Sequence, residues 1–216
     1  MSRITHHPPE DMLLDYSNGR LEAGFNLVLA THISMCAHCQ ESVRLYEGLG
    51  GEILENLEPV EMQSSAADAL ALIHDSKSQE APEHAIAKNE DNLPAILAET
   101  LGVPLESLKW QKLGPGLRQH IIKLPGKAIA RLIWIARGVA VPSHSHRGDE
   151  LTLALSGGYD ANDLSFTKGD VQWTDQTDPH QPRAMDDGPC LTLAVTDAPI
   201  KFENLIPRLL QPFFKI

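Results

Sequence analysis

The chain is poor in cysteine and has no long apolar segment. Only three cysteines occur in 216 residues, and Cys36 and Cys39 form a Cys-x-x-Cys pair that leaves Cys190 without an evident disulfide partner. Such usage is typical of a reducing compartment. No apolar run is long enough to cross a bilayer, and no basic segment followed by an apolar one opens the chain. We therefore expect neither a membrane span nor a secretory signal, and we predict a cytoplasmic protein.

Basic residues are scarce in the first part of the chain. Residues 1–60 contain nine acids and three bases, residues 61–92 contain seven and two, and residues 93–216 contain thirteen of each. An acidic surface repels the phosphates of nucleic acids, so direct nucleic-acid binding is disfavoured. The same charge favours a basic protein partner.

The hydrophobic pattern changes along the chain. Apolar residues recur at helical spacing through the first third, where capping and stop signals separate about four helices. Beyond a polar stretch, short β-rich runs alternate with glycine- and proline-containing turns, as in a sandwich or jelly roll. We predict a multidomain α + β protein with a helical domain at 1–75, a linker at 76–92 and an all-β domain at 93–216. The predicted strands include 118–124, 129–135, 151–155, 171–174 and 190–196.

One histidine and the cysteine pair have the spacing of metal ligands. If one helix ends near Ile33 and the next begins near Cys36, then His32, Cys36 and Cys39 lie together and provide three of the four ligands of a tetrahedral zinc site. The fourth ligand must come from elsewhere, and the adjacent His6 and His7 are the candidates. The alternatives are a pair of buried small hydrophobic residues and a redox dithiol.

A second candidate metal site lies in the β-rich part. His144 and His146 point to the same side of a strand, Glu150 begins the next strand on that side, and His180 follows later. Three imidazoles and a carboxylate suit zinc, iron, manganese or nickel, and the spacing does not choose among them. The alternative is a polar strand edge.

Both patterns resemble known families. The first motif of the cupin superfamily is matched with every spacing kept, at Gly138, His144, His146, Glu150 and Gly157. The second motif is degenerate, because Asp178-Pro179-His180 lacks the usual glycine and Ala184 replaces the usual asparagine. A helical module with His-x3-Cys-x2-Cys followed by a cupin resembles the ChrR-type zinc anti-sigma factors over essentially the whole chain.

This resemblance implies a function and a set of ligands. It implies that the zinc-stapled helical bundle binds and occludes an extracytoplasmic-function sigma factor. The cupin would be the sensory half, which responds to oxidative signals such as singlet oxygen or organic hydroperoxides and causes release of the sigma factor. The family's place ahead of the first helix selects His7 over His6. The implied ligands are His7, His32, Cys36 and Cys39 for zinc, and His144, His146, Glu150 and His180 for the cupin metal.

Two other classes of function are compatible with these patterns. A cupin metal with an open coordination position could serve a dioxygenase or an isomerase, with the helical module as an accessory. The acidic helical module adds nothing to such chemistry, so we predict a regulator that is not an enzyme. A metal-buffering or structural protein ranks last. Self-association into a homo-oligomer stays open, and we expect Cys190 to be an inert core residue.

Overall fold

The computed structural model describes residues 4–75, 92–175 and 179–202. Helices come first and strands follow, as predicted, and all but the last residue of the predicted linker lies outside the described residues. The helices are α1 (Glu10–Ser17), α2 (Ala23–Ile33), α3 (Ala37–Glu55), α4 (Ala66–Asp75) and α5 (Ala95–Leu101), with a 3-10 turn at Leu105–Ser107. The strands are β1 (Gln111–Gly114), β2 (Leu117–Ile122), β3 (Ile129–Ile135), β4 (His144–Ser145), β5 (Glu150–Ser156), β6 (Gly158–Ala161), β7 (Leu164–Thr167), β8 (Val171–Thr174), β9 (Arg183–Ala184), β10 (Cys190–Thr196) and β11 (Lys201–Phe202).

The strands form a sandwich of antiparallel sheets. A six-stranded sheet has the order β1-β2-β3-β10-β5-β8, and a three-stranded sheet has the order β7-β6-β9. Strands β4 and β11 form a short third sheet. All five predicted strands are present, although the first of them ends at Ile122 rather than at residue 124.

The residues of the six-stranded sheet alternate between two apolar environments. Leu132, Leu151 and Leu193 lie on the outer face, where they share a core with the helices. Ile135 and Cys190 lie on the inner face, toward the three-stranded sheet. Cys190 is fully buried there, as expected for a core cysteine.

Helix α2 is buried on nearly all sides. Its residues from Leu27 to His32 are buried, because α1 and α3 pack against it on one side and the six-stranded sheet on the other. Gly24 permits this close approach, since a Cβ atom at that position would lie 2.7 Å from a methyl carbon of Val195 in β10. The helices and the outer face of the sheet therefore share one hydrophobic core.

The second half of α3 and all of α4 present apolar side chains to solvent. Ten apolar side chains between residues 45 and 73 have exposed fractions from 57% to 87%. Of the four helices predicted for the bundle, α1, α2 and α3 pack together. Every α4 side chain whose burial is described is exposed. We call these residues the α3–α4 face: Leu45, Leu49, Ile53, Leu54, Leu57, Val60, Met62, Leu70, Leu72 and Ile73. Among the described residues, no helix is long and apolar enough to cross a membrane.

Candidate metal centres

Four predicted ligands meet where three segments of the helical part converge. His32 lies in the last turn of α2, Cys36 immediately precedes α3, Cys39 lies in its first turn, and His7 comes from the segment before α1. One donor atom from each residue lies within 4.8 Å of the other three. Nε2 of His32 lies 3.2 Å from Sγ of Cys39, and Nδ1 of His7 lies 3.4 Å from both sulfurs.

These separations fit a tetrahedral zinc site. With Zn–S near 2.3 Å and Zn–N near 2.0–2.1 Å, a tetrahedron places nitrogen and sulfur donors about 3.5 Å apart. Burial lowers the pKa of His32 to about 4, so its ring is neutral and has a lone pair to share. Burial and the neighbouring Cys36 raise the pKa of Cys39 to about 12, and a bound cation would favour the thiolate. His7, His32, Cys36 and Cys39 are therefore suited to hold zinc.

The β domain supplies the outer contacts of this cluster. Nδ1 of His32 donates to the main-chain carbonyl of Gly169 at 2.8 Å, which leaves Nε2 directed at the cluster. Metal-binding histidines usually have such a partner on the second nitrogen, because it fixes the tautomer and the ring orientation. We call the segment Thr167–Val171, between β7 and β8, the β7–β8 turn.

The same turn holds the chain on either side of His7. The carboxylate of Asp170 accepts the main-chain N–H groups of Thr5 at 2.7 Å and of His6 at 2.9 Å. The carbonyl of His6 accepts the N–H of Val171 at 3.1 Å. These bonds place His7 in the cluster, whereas the ring of His6 lies 4.6 Å from that of Phe166.

The second predicted set also converges, at one end of the sandwich. Donor atoms of His144, His146, Glu150 and His180 lie within 4.8 Å of one another, and all four residues are buried. His180 exchanges two main-chain hydrogen bonds with His144, of 3.0 and 3.1 Å, so the degenerate second motif still lies beside the first. Oε2 of Glu150 lies 3.3 Å from Nε2 of His146 and 3.6 Å from Nε2 of His180.

The electrostatics of this second cluster suit a divalent cation. Burial lowers the pKa of His144 to about 4, and its Nδ1 donates to the carbonyl of Pro142 at 2.8 Å, so Nε2 has the lone pair. Burial opposes ionisation of Glu150, but the hydrogen bond from His180 and the nearby histidines lower its pKa to about 2. Three imidazoles and one carboxylate can hold zinc, iron, manganese or nickel.

The residues that surround the first cluster have no signature in the sequence. Lys168-Gly169-Asp170 indicates only a turn, and neither a glycine carbonyl nor a single aspartate indicates a contact with residues more than 130 positions away. The buried aspartate that accepts main-chain N–H groups becomes visible only in three dimensions.

Comparison with known proteins places the chain in a family. No family model matches it. It is 40% identical over 214 residues, which are 99% of both chains, to the anti-sigma-E factor ChrR of Cereibacter sphaeroides. The chain belongs to the ChrR family of anti-sigma factors. This membership confirms the family resemblance and supports the predicted regulatory role.

Solved structures extend this comparison. The crystal structure of Rhodobacter sphaeroides SigE in complex with the anti-sigma ChrR superposes with a TM-score of 0.77 and 39% identity, and covers 90% of this chain and 100% of that chain. The ChrR-family architecture, with N-terminal helices followed by a cupin-like β domain, confirms the predicted fold class. An RmlC-like cupin protein from Ralstonia eutropha is 16% identical, with a TM-score of 0.42 over 47% of this chain and 71% of its own. That similarity is too low to bear on function.

Proposed function

We propose that this protein inhibits an extracytoplasmic-function sigma factor by binding it through the α3–α4 face and releases it when the cupin domain receives an oxidative signal. Similarity to the anti-sigma-E factor ChrR over 99% of both chains supports the inhibitory role, and a ChrR has been crystallised in complex with Rhodobacter sphaeroides SigE. The division into 1–75, 76–92 and 93–216 and the cytoplasmic location remain part of this proposal. A small-molecule oxidant of the singlet oxygen or organic hydroperoxide class is the proposed signal.

The α3–α4 face is the observation that carries the binding part. Its ten apolar side chains lie within residues 45–73 and are all exposed, and large exposed apolar surfaces on soluble proteins usually mark interaction sites. Acidic side chains accompany the patch: Glu52, Glu55, Glu58 and Glu61 are all exposed. An apolar face with an acidic border suits a partner whose complementary surface is apolar with a basic border.

The N-terminal zinc site would hold this face in place. Helix α3 begins at the metal cluster, and its contacts with α1 and α2 lie in its first half, where Cys39 and Val43 are buried. Structural zinc contributes roughly 10–16 kcal/mol of apparent binding free energy in small zinc peptides. Bound at His7, His32, Cys36 and Cys39, it would fix the three segments from which the binding face projects.

The β7–β8 turn provides a route from the cupin metal site to the zinc site. Glu150 pairs with Thr174 at the end of β8, and β8 begins at Val171, whose N–H is bonded to His6. Four strand residues span about 10 Å. A change at Glu150 or in its bound metal would therefore reach the segment that contains His7 through one short strand.

Release requires a difference in affinity between two states. To change the bound fraction from 99% to 1%, the signal must weaken binding of the sigma factor by about 5.5 kcal/mol. Displacement of His7 or His32 would have an effect of that size, because the binding face depends on the zinc site.

Co-purification with the sigma factor tests the binding part. The full-length zinc-loaded protein should retain one extracytoplasmic-function sigma factor of the same cell in a stoichiometric complex. Leu54→Asp should abolish retention, because it places a charge in the apolar patch. Leu164→Asp is the matched control, since Leu164 is 50% exposed on β7, away from the face. Retention by the Leu54 variant would refute this assignment.

Asp170→Asn tests the signalling part. The variant removes the charge that fixes Thr5 and His6, and it should alter the amount of sigma factor released by a given dose of organic hydroperoxide at least several-fold. Asp187→Asn, at an exposed position in the loop after β9, serves as the control. An unchanged dose response in the Asp170 variant would exclude the β7–β8 turn as the route.

A further inference from the structure

The space between the six-stranded and three-stranded sheets is polar at one end. Paired residues on neighbouring strands share a face, and Ile129, Thr196, Glu150 and Thr174 form one row across the sheet on the inner side. The next inner row contains Arg131, Ala194, Thr152 and Gln172. Arg131, Gln172, Thr174 and Thr196 are at most 8% exposed.

The opposite end of the same inner face is apolar. Leu117, Ile135 and Cys190 are buried there against the three-stranded sheet. A barrel interior that contributes only to stability is filled with apolar side chains from one end to the other. Ligand-binding interiors instead combine apolar walls with a few convergent polar groups. The polar rows lie at the end that contains the metal cluster.

Arg131 is the most unusual of these residues. Its neighbours Ala130 and Leu132 pack in the outer core with the helices, so its side chain lies on the inner face. It is 4% exposed, and its Nη2 donates to Oγ1 of Thr196 at 3.2 Å. Within 4–75, 92–175 and 179–202, no group accepts a hydrogen bond from its Nε. Among the residues that the structure describes, no carboxylate forms an ion pair with this guanidinium.

The acid whose charge acts on Arg131 belongs to the metal cluster. Burial lowers the pKa of Arg131, and the charge of Glu150 only partly opposes that shift, because the Glu150 carboxylate lies against His146 and His180. A divalent cation held by the cluster would leave an excess of positive charge in the interior, since Glu150 is its one anionic ligand. Burying uncompensated charge is costly, so an anion is favoured there.

Two hydroxyl groups add hydrogen-bonding capacity. In the described parts of the chain, neither Oγ1 of Thr174 nor the phenol oxygen of Tyr159 has a hydrogen-bond partner, although both are buried. Thr174 is paired with Glu150 across β5 and β8, so it lies beside the cluster. Buried polar groups without protein partners are usually satisfied by water or by a ligand.

We propose that the interior of the cupin domain binds a small organic carboxylate, with its carboxylate group on Arg131, beside the His144, His146, Glu150 and His180 cluster. The guanidinium fork matches the two oxygens of a carboxylate. One strand, β10, separates Arg131 from Glu150, so the two lie about 10 Å apart, which limits the ligand to a few carbon atoms. Ala194 of β10, which pairs with Arg131, has a small side chain on the inner wall beside the guanidinium.

Isothermal titration calorimetry of the metal-loaded full-length protein tests this site. Acetate, malonate and succinate are the probes, with malonamide as the neutral analogue of malonate and inorganic phosphate as a different oxyanion. At least one carboxylate should bind with a stoichiometry of one, more tightly than phosphate, and malonamide should not bind. Arg131→Gln should weaken that binding at least tenfold. Arg183→Gln should change it less than twofold, because Arg183 is exposed and paired with Asp186.

Thr174→Val provides a second variant that preserves the shape of the side chain. It removes only a hydroxyl without a described partner, so the protein should fold normally and bind the carboxylate at least threefold more weakly. Three results would overturn the proposal: no binding of any probe carboxylate at millimolar concentration, equal binding by the wild type and the Arg131 variant, or tighter binding of phosphate. The assay contains no sigma factor, so its outcome is independent of the proposed function.

Discussion

Nδ1 of His32 donates a hydrogen bond to the carbonyl oxygen of Gly169 across 2.8 Å, and these residues are 137 positions apart. The bond connects the last turn of α2 to the β7–β8 turn. His32 is fully buried, and Gly169 has a φ of +97°, a conformation in which other residues are strained. The orientation of one candidate zinc ligand therefore depends on the backbone of the cupin domain.

Gly169→Ala should destabilise the protein. A Cβ atom at this position would lie 2.6 Å from Cγ1 and Cδ1 of Ile4, and the positive φ adds strain of about 1–3 kcal/mol. The free energy of unfolding, measured in urea, should fall by at least that amount. Gly188→Ala is the control, because no atom lies within 4 Å of the added methyl group. Equal losses in the two variants would contradict this account of the turn.

Cys36→Ser should remove one equivalent of zinc and part of the helical signal. Serine is a poor zinc ligand, and α1 and α3 would lose the link that the metal provides. Elemental analysis and far-ultraviolet circular dichroism measure both effects. Cys190→Ala also removes a buried sulfur, but it should retain the full metal content. If the Cys36 variant keeps its zinc, the four-ligand cluster is not the zinc site.

His180→Ala should deplete the cupin metal. The imidazole is 2% exposed and contributes one of four converging donors, so its loss should weaken metal binding at least tenfold. Metal content after dialysis should fall by one equivalent, and the cysteines should remain protected from thiol reagents. His74→Ala, on the exposed helix α4, should retain both metals. Full retention of both metals by the His180 variant would show that His180 is not a ligand.

Glu22 should stabilise the junction between α2 and the β domain in a pH-dependent manner. Its Oε2 accepts the main-chain N–H groups of Lys127 at 2.8 Å and Ala128 at 2.9 Å, and these bonds lower its pKa. The ionised Glu22 carboxylate therefore contributes its full stabilisation of the folded protein above the unfolded-state pKa of about 4.3. This stabilisation is lost as the pH falls through the lower pKa that Glu22 has in the folded state. Glu22→Gln should lower the melting temperature at pH 7, and the difference from the wild type should vanish at acidic pH.

Glu99→Gln is the matched control for this pH dependence. Glu99 is exposed on α5, and its replacement should leave the melting temperature within about 1 °C of the wild type at both pH values, as expected for surface positions. A difference for Glu22→Gln that is equally large at pH 3 and pH 7 would exclude its charge as the cause.

The metal clusters were predictable because their ligands follow local rules. His32, Cys36 and Cys39 are close in sequence, and a helix end followed by a helix start brings them together. His144, His146 and Glu150 are likewise within seven positions, with His144 in β4, His146 just after it and Glu150 at the start of β5. The strands were predictable from their apolar runs, of which Ile129–Ile135 and Cys190–Thr196 match the structure residue for residue.

Long-range polar contacts were not predictable. Glu22 and Asp170 accept main-chain N–H groups from residues more than 100 positions away, and main-chain donors have no signature in the sequence. Arg131 lies in the middle of a predicted apolar strand, and its charge there was a signal of an unusual interior that the pattern of β-rich residues obscured. The exposure of α4 was missed because an apolar helical stripe predicts burial without specifying whether the covering surface belongs to the same chain.

The close packing of Gly24 on Val195 limits how family members can exchange their β domains. A chimera that grafts a foreign cupin onto these helices must preserve a small side chain facing α2, or the transplanted sheet will be held away from the helix. Substitutions at the two positions should therefore have been accepted together during divergence, so that the helices and the β domain are inherited as a matched pair rather than as interchangeable parts.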